Sequence, residues 1–154
     1  MKEVLLSIEG IQYTPTEEQN EVVLMTHGTL LCEQDKTTQS DKITLSYEET
    51  ETTGMEGTST QVIVQNGCVT LSRQGAVSTQ MVFEQGKKHI SLYQTLHGAL
   101  TVGVFASAVR TNFDKDGGNI LVDYALDVDN EQISHNIFKI QYKSSEISGE
   151  DLPC

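Results

Sequence analysis

The chain has 154 residues, a formal net charge of −12, and 37% hydrophobic residues with no Trp. Its length is typical of one domain that can enclose a core without disulfides or metals. Phosphate contacts need clustered Lys and Arg, and Lys87-Lys88 is the only adjacent basic pair. The composition therefore excludes nucleic acid and anionic membranes as expected partners.

Two features of the sequence predict a cytoplasmic protein. The first ten residues alternate and carry acids, so they lack the apolar segment of a signal peptide, and no stretch has the length of a membrane span. The three cysteines, Cys32, Cys68 and Cys154, are widely spaced and form no Cys-x-x-Cys motif. We expect them to be reduced thiols.

Turn signals at intervals of roughly ten residues divide the stretch from Gln61 to Tyr142 into alternating apolar and polar runs. Gly and Asn adopt positive φ at low cost, as both central residues of a type I′ hairpin turn must. The signals are Asn66-Gly67, Gln85-Gly86, His97-Gly98, Gly117-Gly118 and Asp129-Asn130. They predict an antiparallel meander.

The runs between turns predict ten strands, and no window shows a helical period. The predicted strands are Lys2–Tyr13, Asn20–Leu31, Lys42–Thr53, Thr58–Gln65, Cys68–Gln74, Thr79–Gln85, Lys88–Leu96, Ala99–Val109, Asn119–Asp129 and Gln132–Lys143. The ninth is the clearest, because Ile120, Val122, Tyr124, Leu126 and Val128 share one face. In the tenth, the apolar residues change parity, which predicts a β-bulge near Ile137.

A meander of about ten strands exposes two long edges unless it closes on itself. We therefore predict an all-β fold, an antiparallel meander closed into a β-barrel of about 8–10 strands. Residues 1–143 are expected to form this single domain, and residues 144–154 a polar, frayed tail.

Charged residues continue the apolar parity of two predicted strands. Glu49 and Glu51 follow Ile43, Leu45 and Tyr47 on one face, and Arg73 follows Val69 and Leu71 on another. Three interpretations stay open: a polar floor that binds a head group, an ion network that only fixes strand register, or glutamates that lie past the rim in water. The candidate ligand-binding residues are Tyr47, Glu49, Glu51, Arg73, Met81, Phe83 and His89.

No pattern in the sequence predicts a catalytic, metal or cofactor site. The four histidines show no zinc-ligand spacing. Asp114 opens a segment similar to a calcium loop, but Ala125 occupies the position of the glutamate that such a loop needs. His89 shares a polar face with Ser91 and is the histidine we single out.

Several segments together resemble the DUF1934 family, small proteins of Firmicutes. They are Tyr47-Glu48-Glu49-Thr50-Glu51, Gly54-Met55-Glu56-Gly57-Thr58, Arg73-Gln74-Gly75, the run from Met81 to His89, Ser91-Leu92-Tyr93-Gln94-Thr95 and the run from Gly98 to Val104. The resemblance covers Lys2 to Tyr142. It implies a calycin-like barrel, akin in shape to lipocalins, and a bacterial cytoplasmic setting. It implies no activity.

Three hypotheses for function follow. The leading one is a non-enzymatic barrel, monomeric or homodimeric, that binds a small molecule in its interior or mouth. The second is an interaction module whose acidic outer face docks on a basic protein. The third is an enzyme that uses Glu49 or Glu51 as general acid or base beside Arg73.

Overall fold

The computed structural model describes residues 2–14, 19–35, 40–49, 57–75, 78–95, 98–113 and 117–144, and these residues form ten strands. The strands are β1 (Lys2–Tyr13), β2 (Gln19–Asp35), β3 (Ser40–Glu48), β4 (Ser59–Gln65), β5 (Cys68–Gln74), β6 (Thr79–Glu84), β7 (Lys88–Thr95), β8 (Gly98–Phe113), β9 (Gly117–Val128) and β10 (Glu131–Ser144). Each of the ten predicted strands is present. The prediction of an all-β chain is confirmed.

The strands form one antiparallel sheet that curls into a nearly closed barrel. Its order is β6-β5-β4-β3-β2-β1-β10-β9-β8-β7, so all sequence neighbours except β6 and β7 pair, and β1 pairs with β10. A turn connects the edge strands β6 and β7, and in it the Gly86 N–H donates to the carbonyl of Ala106 in β8 at 2.8 Å. Ser91 also spans this seam, donating from Oγ to the Gln80 carbonyl at 3.4 Å. The predicted meander and its near closure are confirmed.

Alternate residues of the strands fill the barrel interior. Fully buried side chains include Leu6, Leu30, Leu45, Val62, Phe83, Ile120 and Ile140. Burying each such side chain contributes about 1.5–3 kcal/mol, which makes this interior the main source of stability. In β9, Ile120 and Val122 are buried and Tyr124 and Leu126 pack partly against the core. The face predicted for this strand is therefore the inner one.

Two predicted turns have the backbone geometry of type I′. Asn66 and Gly67 have φ of 54° and 76°, and Asp129 and Asn130 have φ of 50° and 70°. All four residues lie in the left-handed region that such a turn requires. The Asn-Gly and Asp-Asn predictions are confirmed.

The prediction of a turn at Gly117-Gly118 is wrong, because both glycines lie inside β9. They pair with Lys143 and Tyr142 of β10. A Cβ on Gly118 would lie 2.7 Å from the Tyr142 ring. The glycines here allow close packing of a neighbouring side chain, which is the other common reason for glycine in a strand.

The bulge predicted near Ile137 is also misplaced. The register of β10 shifts between Gln132 and Ser134, which leaves Ile133 as the extra residue with its side chain 40% exposed. Beyond the shift, Ser134 and Asn136 are buried although they are polar. The prediction failed because it assumed that the apolar residues of this segment all point inward.

The thiols differ from the expectation in one respect. Cys68 is a free thiol, as predicted, but Cys32 is disulfide-bonded.

The described part of the chain contains no helix with the length and hydrophobicity of a membrane span.

The β2 and β3 strands separate part-way along β2, and this separation positions the candidate site. β2 pairs with β1 from Gln19 to Leu30, but with β3 only from Gly28 onward. A Cβ on Gly28 would lie 2.4 Å from the Ser46 carbonyl oxygen, so only glycine permits this close approach. Beyond it, the inner faces of residues 19–27 and of the end of β3 line an open end of the barrel.

Candidate functional site

Glu49 lies inside the barrel, directly after β3. Its backbone N–H donates to the Thr58 carbonyl at 2.8 Å, so the ladder between β3 and β4 continues one residue past the strand. The strand alternation therefore carries on from the buried Leu45 and Tyr47, and the Glu49 side chain is only 1% exposed. The sequence places a carboxylate on the inner face here because of parity alone.

Two residues from neighbouring strands converge on this carboxylate. Thr60 of β4 pairs with Tyr47 on one side and with Arg73 on the other. The Thr60 hydroxyl donates to Glu49 Oε1 at 2.7 Å, within a fully buried environment. Arg73 Nε lies 3.8 Å from the same oxygen, which is an ion pair but too long for a hydrogen bond.

One oxygen of Glu49 and one nitrogen of Arg73 lack hydrogen bonds. Glu49 Oε2 and Arg73 Nε are buried and have no partner among the described residues. An unpaired buried donor or acceptor costs about 1–3 kcal/mol, more for a charged group, so such atoms are rare in folded proteins. They mark the Glu49–Arg73 pair as incompletely satisfied.

The phenol of Tyr47 completes this group. Burial raises its pKa well above the ordinary value, and the neighbouring Glu49 carboxylate raises it further, while the Arg73 guanidinium opposes both effects. The hydroxyl therefore stays protonated at any physiological pH.

A cavity of about 350 Å³ adjoins these residues. Tyr47, Glu49 and Arg73 form a polar part of its wall, and Ile8, Val22, Leu24 and Phe138 form an apolar part. Asn136 also lines the cavity and donates from Nδ2 to Ser134 Oγ at 3.0 Å. The volume is that of a small-molecule pocket at the lower end of the usual range.

The structure brings together three of the residues predicted for the site. Tyr47, Glu49 and Arg73 share the cavity, whereas Glu51 lies outside the described residues. Phe83 is fully buried in the core, with its ring 4.7 Å from that of Tyr124, and Met81 packs partly against the same core. Neither belongs to the cavity wall.

His89 lies elsewhere, at the seam between β6 and β7. Its Nε2 is 3.2 Å from Glu84 Oε1, and Lys87 Nζ is 2.9 Å from Glu84 Oε2. The hydrogen bond from Lys87, followed by that from His89, lowers the pKa of Glu84. Burial, with the adjacent Glu84 carboxylate, raises the pKa of the Cys68 thiol, which is the opposite of what a nucleophilic cysteine needs. This solvated cluster of side chains lies at the seam and does not belong to the cavity.

Sequence reasoning missed Thr60, Ser134 and Asn136. Thr60 shares a parity with Val62 and Val64, and Asn136 shares one with Phe138 and Ile140. Their inward positions could have been found by extending the apolar parity to polar residues, as was done for Glu49. Among the described residues, no cluster of His, Cys, Asp and Glu is suited to a metal ion.

A second concavity, of about 560 Å³, lies on the outside of the barrel. It is lined by Leu5 and Ser7, which alternate with the buried Val4, Leu6 and Ile8 of β1. Neither Glu49 Oε2 nor Arg73 Nε faces it. The unpaired atoms of Glu49 and Arg73 therefore belong to residues of the inner cavity, whereas the third buried unpaired atom among the described residues, Asp123 Oδ1, lies 2.6 Å from His135 Nε2 and away from both concavities.

Comparison with known proteins identifies the family. Residues 6–140 match the model of a domain of unknown function, DUF1934. The chain belongs to this family. A relative described as "Uncharacterized beta-barrel protein YwiB", from Bacillus subtilis (strain 168), is 29% identical over 105 residues, covering 68% of this chain and 72% of that protein. The resemblance to DUF1934 drawn from the sequence is confirmed.

A solved structure shares the fold. The crystal structure of the ywiB protein from Bacillus subtilis superposes with a TM-score of 0.78 at 22% identity, over 94% of this chain and 93% of that one. At this identity the likeness establishes the β-barrel architecture and nothing about what the barrel holds.

Proposed function

We propose that this protein binds a small, uncharged molecule with an amide-like head group in the inner cavity. The observation that carries the proposal is Glu49, which lines a cavity of about 350 Å³ and whose buried Oε2 has no hydrogen-bond partner among the described residues. A ligand N–H placed there removes the cost of leaving this oxygen unpaired.

The head group follows from the second unpaired atom. Arg73 Nε is a donor without an acceptor, and it belongs to the side chain that pairs with Glu49. A primary amide offers an N–H to the carboxylate and a C=O to the guanidinium at the same time. The charges of Glu49 and Arg73 balance each other, which favours a neutral head group over an amine or a carboxylate.

The rest of the ligand follows from the apolar wall. Ile8, Val22, Leu24 and Phe138 face the same cavity as the polar pair. An aliphatic or aromatic body next to the amide buries its surface against them at about 25 cal/mol per Å². A compact amphiphilic amide is the class of molecule that this arrangement supports best.

Native mass spectrometry of the protein after incubation with a bacterial metabolite extract tests the proposal. We expect one retained molecule per chain, and its loss in Glu49→Gln, which keeps the size of the side chain but presents an amide in place of the carboxylate. The matched control is Glu48→Gln. Glu48 is the exposed neighbour on the same strand and accepts a hydrogen bond from Ser59 at 2.8 Å. Equal retention by both variants, or none by the wild type, would contradict the proposal.

For the setting, we propose the bacterial cytoplasm, which the Bacillus subtilis relative and the acidic composition support. The disulfide at Cys32 makes this directly testable, because the cytoplasm keeps thiols reduced. In the proposed setting the Cys32 disulfide is expected to be open, so alkylation in intact cells is expected to modify all three cysteines; a Cys32 thiol that stays blocked in intact cells would contradict the cytoplasmic setting.

A further inference from the structure

Residues 19–27 of β2 have a free strand edge within the described part of the chain. They pair with β1 on one side, and the described residues place no strand on the other. The pairing with β3 ends at Gly28 and Tyr47, although β3 continues to Glu48. A free edge presents a row of backbone donors and acceptors to any strand that fits it.

The outer face of this edge is apolar at its centre. Val23 is 55% exposed and Met25 is 66% exposed, and Glu21 and His27 flank them on the same face. Proteins usually protect a free edge with prolines or with charges in its middle. This edge has neither, so its sequence is suited to pairing.

When two copies of this segment run antiparallel, each residue of the outer face meets a residue that it can pair with. We propose that a second copy of this chain pairs antiparallel with residues 21–27, around a two-fold axis at Leu24. In this register Glu21 lies opposite the partner's His27, and Val23 lies opposite the partner's Met25. Each dimer then gains two carboxylate–imidazole hydrogen bonds and two apolar cross-strand pairs, one at each side of the axis.

The geometry of a continuous sheet selects this register. Residues directly opposite each other must share a face, so the axis can pass through a residue but not between two residues. An axis at Val23 sets the Glu21 carboxylate against the partner's Met25, and an axis at Met25 leaves Glu21 outside the free edge. Only the axis at Leu24 sets a carboxylate opposite an imidazole and, at the same time, sets apolar side chains opposite each other.

The outer face of the proposed interface can be altered without changing the cavity wall, although the two features share a strand. Val22 and Leu24 point to the cavity, while Glu21, Val23, Met25 and His27 lie on the outer face. Substitutions on the outer face therefore test the dimer without altering the cavity wall.

Sedimentation velocity of the full chain, in a concentration series up to roughly 500 µM, measures the association. We expect the wild type to dimerise and Met25→Glu to weaken the dimer by about tenfold or more, since two carboxylates enter the apolar pairs. Ile90→Glu is the matched control, because Ile90 of β7 is 63% exposed and lies outside the proposed interface. A wild type that stays monomeric, or a dimer that Met25→Glu leaves intact, overturns the proposal.

A charge exchange tests the register. His27→Glu sets two carboxylates opposite each other on both sides of the axis and is expected to weaken the dimer by about tenfold. Adding Glu21→Lys restores an attractive pair and is expected to recover most of the loss. Glu21→Lys alone is the control for the change in net charge and is expected not to strengthen the dimer. Failure of the double variant to recover association would exclude this pairing.

Discussion

Glu48 and Glu49 are adjacent residues on opposite faces of the barrel wall, and each accepts a hydrogen bond from a hydroxyl on β4. Ser59 donates to Glu48 Oε1 at 2.8 Å on the exposed face, and Thr60 donates to Glu49 Oε1 at 2.7 Å in the buried one. Outside, the Glu48 side chain is exposed, so its second carboxylate oxygen is open to solvent. Inside, the second oxygen has no partner among the described residues. The same pair of carboxylate and hydroxyl therefore has little effect on stability on the exposed face, whereas on the buried face its unpaired oxygen lowers stability.

The largest expected effect is loss of the counter-charge on the inner face. Arg73→Met leaves the Glu49 carboxylate buried without a cation and is expected to destabilise the protein by roughly 2–3 kcal/mol. The value lies below that of a fully buried pair because the Arg73 side chain is 23% exposed and 3.8 Å from Glu49. Urea denaturation measures it. Restoration of stability by Glu49→Gln in the Arg73→Met background supports the explanation, and an unchanged midpoint in Arg73→Met would refute it.

A smaller effect is expected from the two hydroxyls. Thr60→Val removes the donor to Glu49 with little change of volume, and we expect a loss of about 1–2 kcal/mol because a buried carboxylate oxygen is left unpaired. Ser59→Ala removes the equivalent donor to Glu48 on the exposed face and is expected to cost less than about 0.5 kcal/mol. Thermal unfolding of the two variants compares the faces directly. Equal losses of stability in both variants would mean that burial does not strengthen the contribution of the hydroxyl.

Tyr47 is expected to make the stability of the protein depend on pH in the alkaline range. Its pKa is raised in the folded protein, first by burial and then by Glu49, so the unfolded chain loses this proton at a lower pH than the folded chain. Stability is therefore expected to fall as pH rises above the ordinary tyrosine pKa of about 10, by about 1 kcal/mol at pH 11. Tyr47→Phe is expected to remove this part of the decline, measured by denaturation at several pH values. The same substitution at exposed Tyr13 is the control.

The smallest effect is expected at the seam on the outside. Lys87→Met removes the hydrogen bond that contributes most to the lowered pKa of Glu84. The pair is solvated, so we expect no change in thermal stability beyond experimental error at physiological salt. A clear destabilisation would show that this ion pair stabilises the turn between β6 and β7.

Parity predicted the inner position of Glu49 because strand alternation continues past the end of β3. The same rule misplaced the bulge in β10, where Ser134 and Asn136 face inward and Ile133 faces out. Where a strand lines a polar cavity, the polarity of a residue does not predict whether its side chain faces inward or outward. The turns at Asn66-Gly67 and Asp129-Asn130 were predictable because residues with positive φ are usually Gly, Asn or Asp.

Other features could not be read from the sequence. The role of Gly117 and Gly118 depends on the packing of Tyr142, a contact between strands that local patterns do not encode. The separation of β2 from β3 after Gly28 depends equally on long-range packing. This separation places Val22 and Leu24 at the cavity and leaves one edge of β2 without a partner strand among the described residues.

The most direct test of the central claim is an NMR titration with a simple amide, such as hexanamide, that follows the Arg73 Nε–H signal. We predict that this signal shifts with saturation in the wild type and in Glu48→Gln, and that the shift is lost in Glu49→Gln. An Arg73 signal that stays fixed while the backbone signals of Leu5 and Ser7 move would place the ligand in the outer concavity and contradict the account.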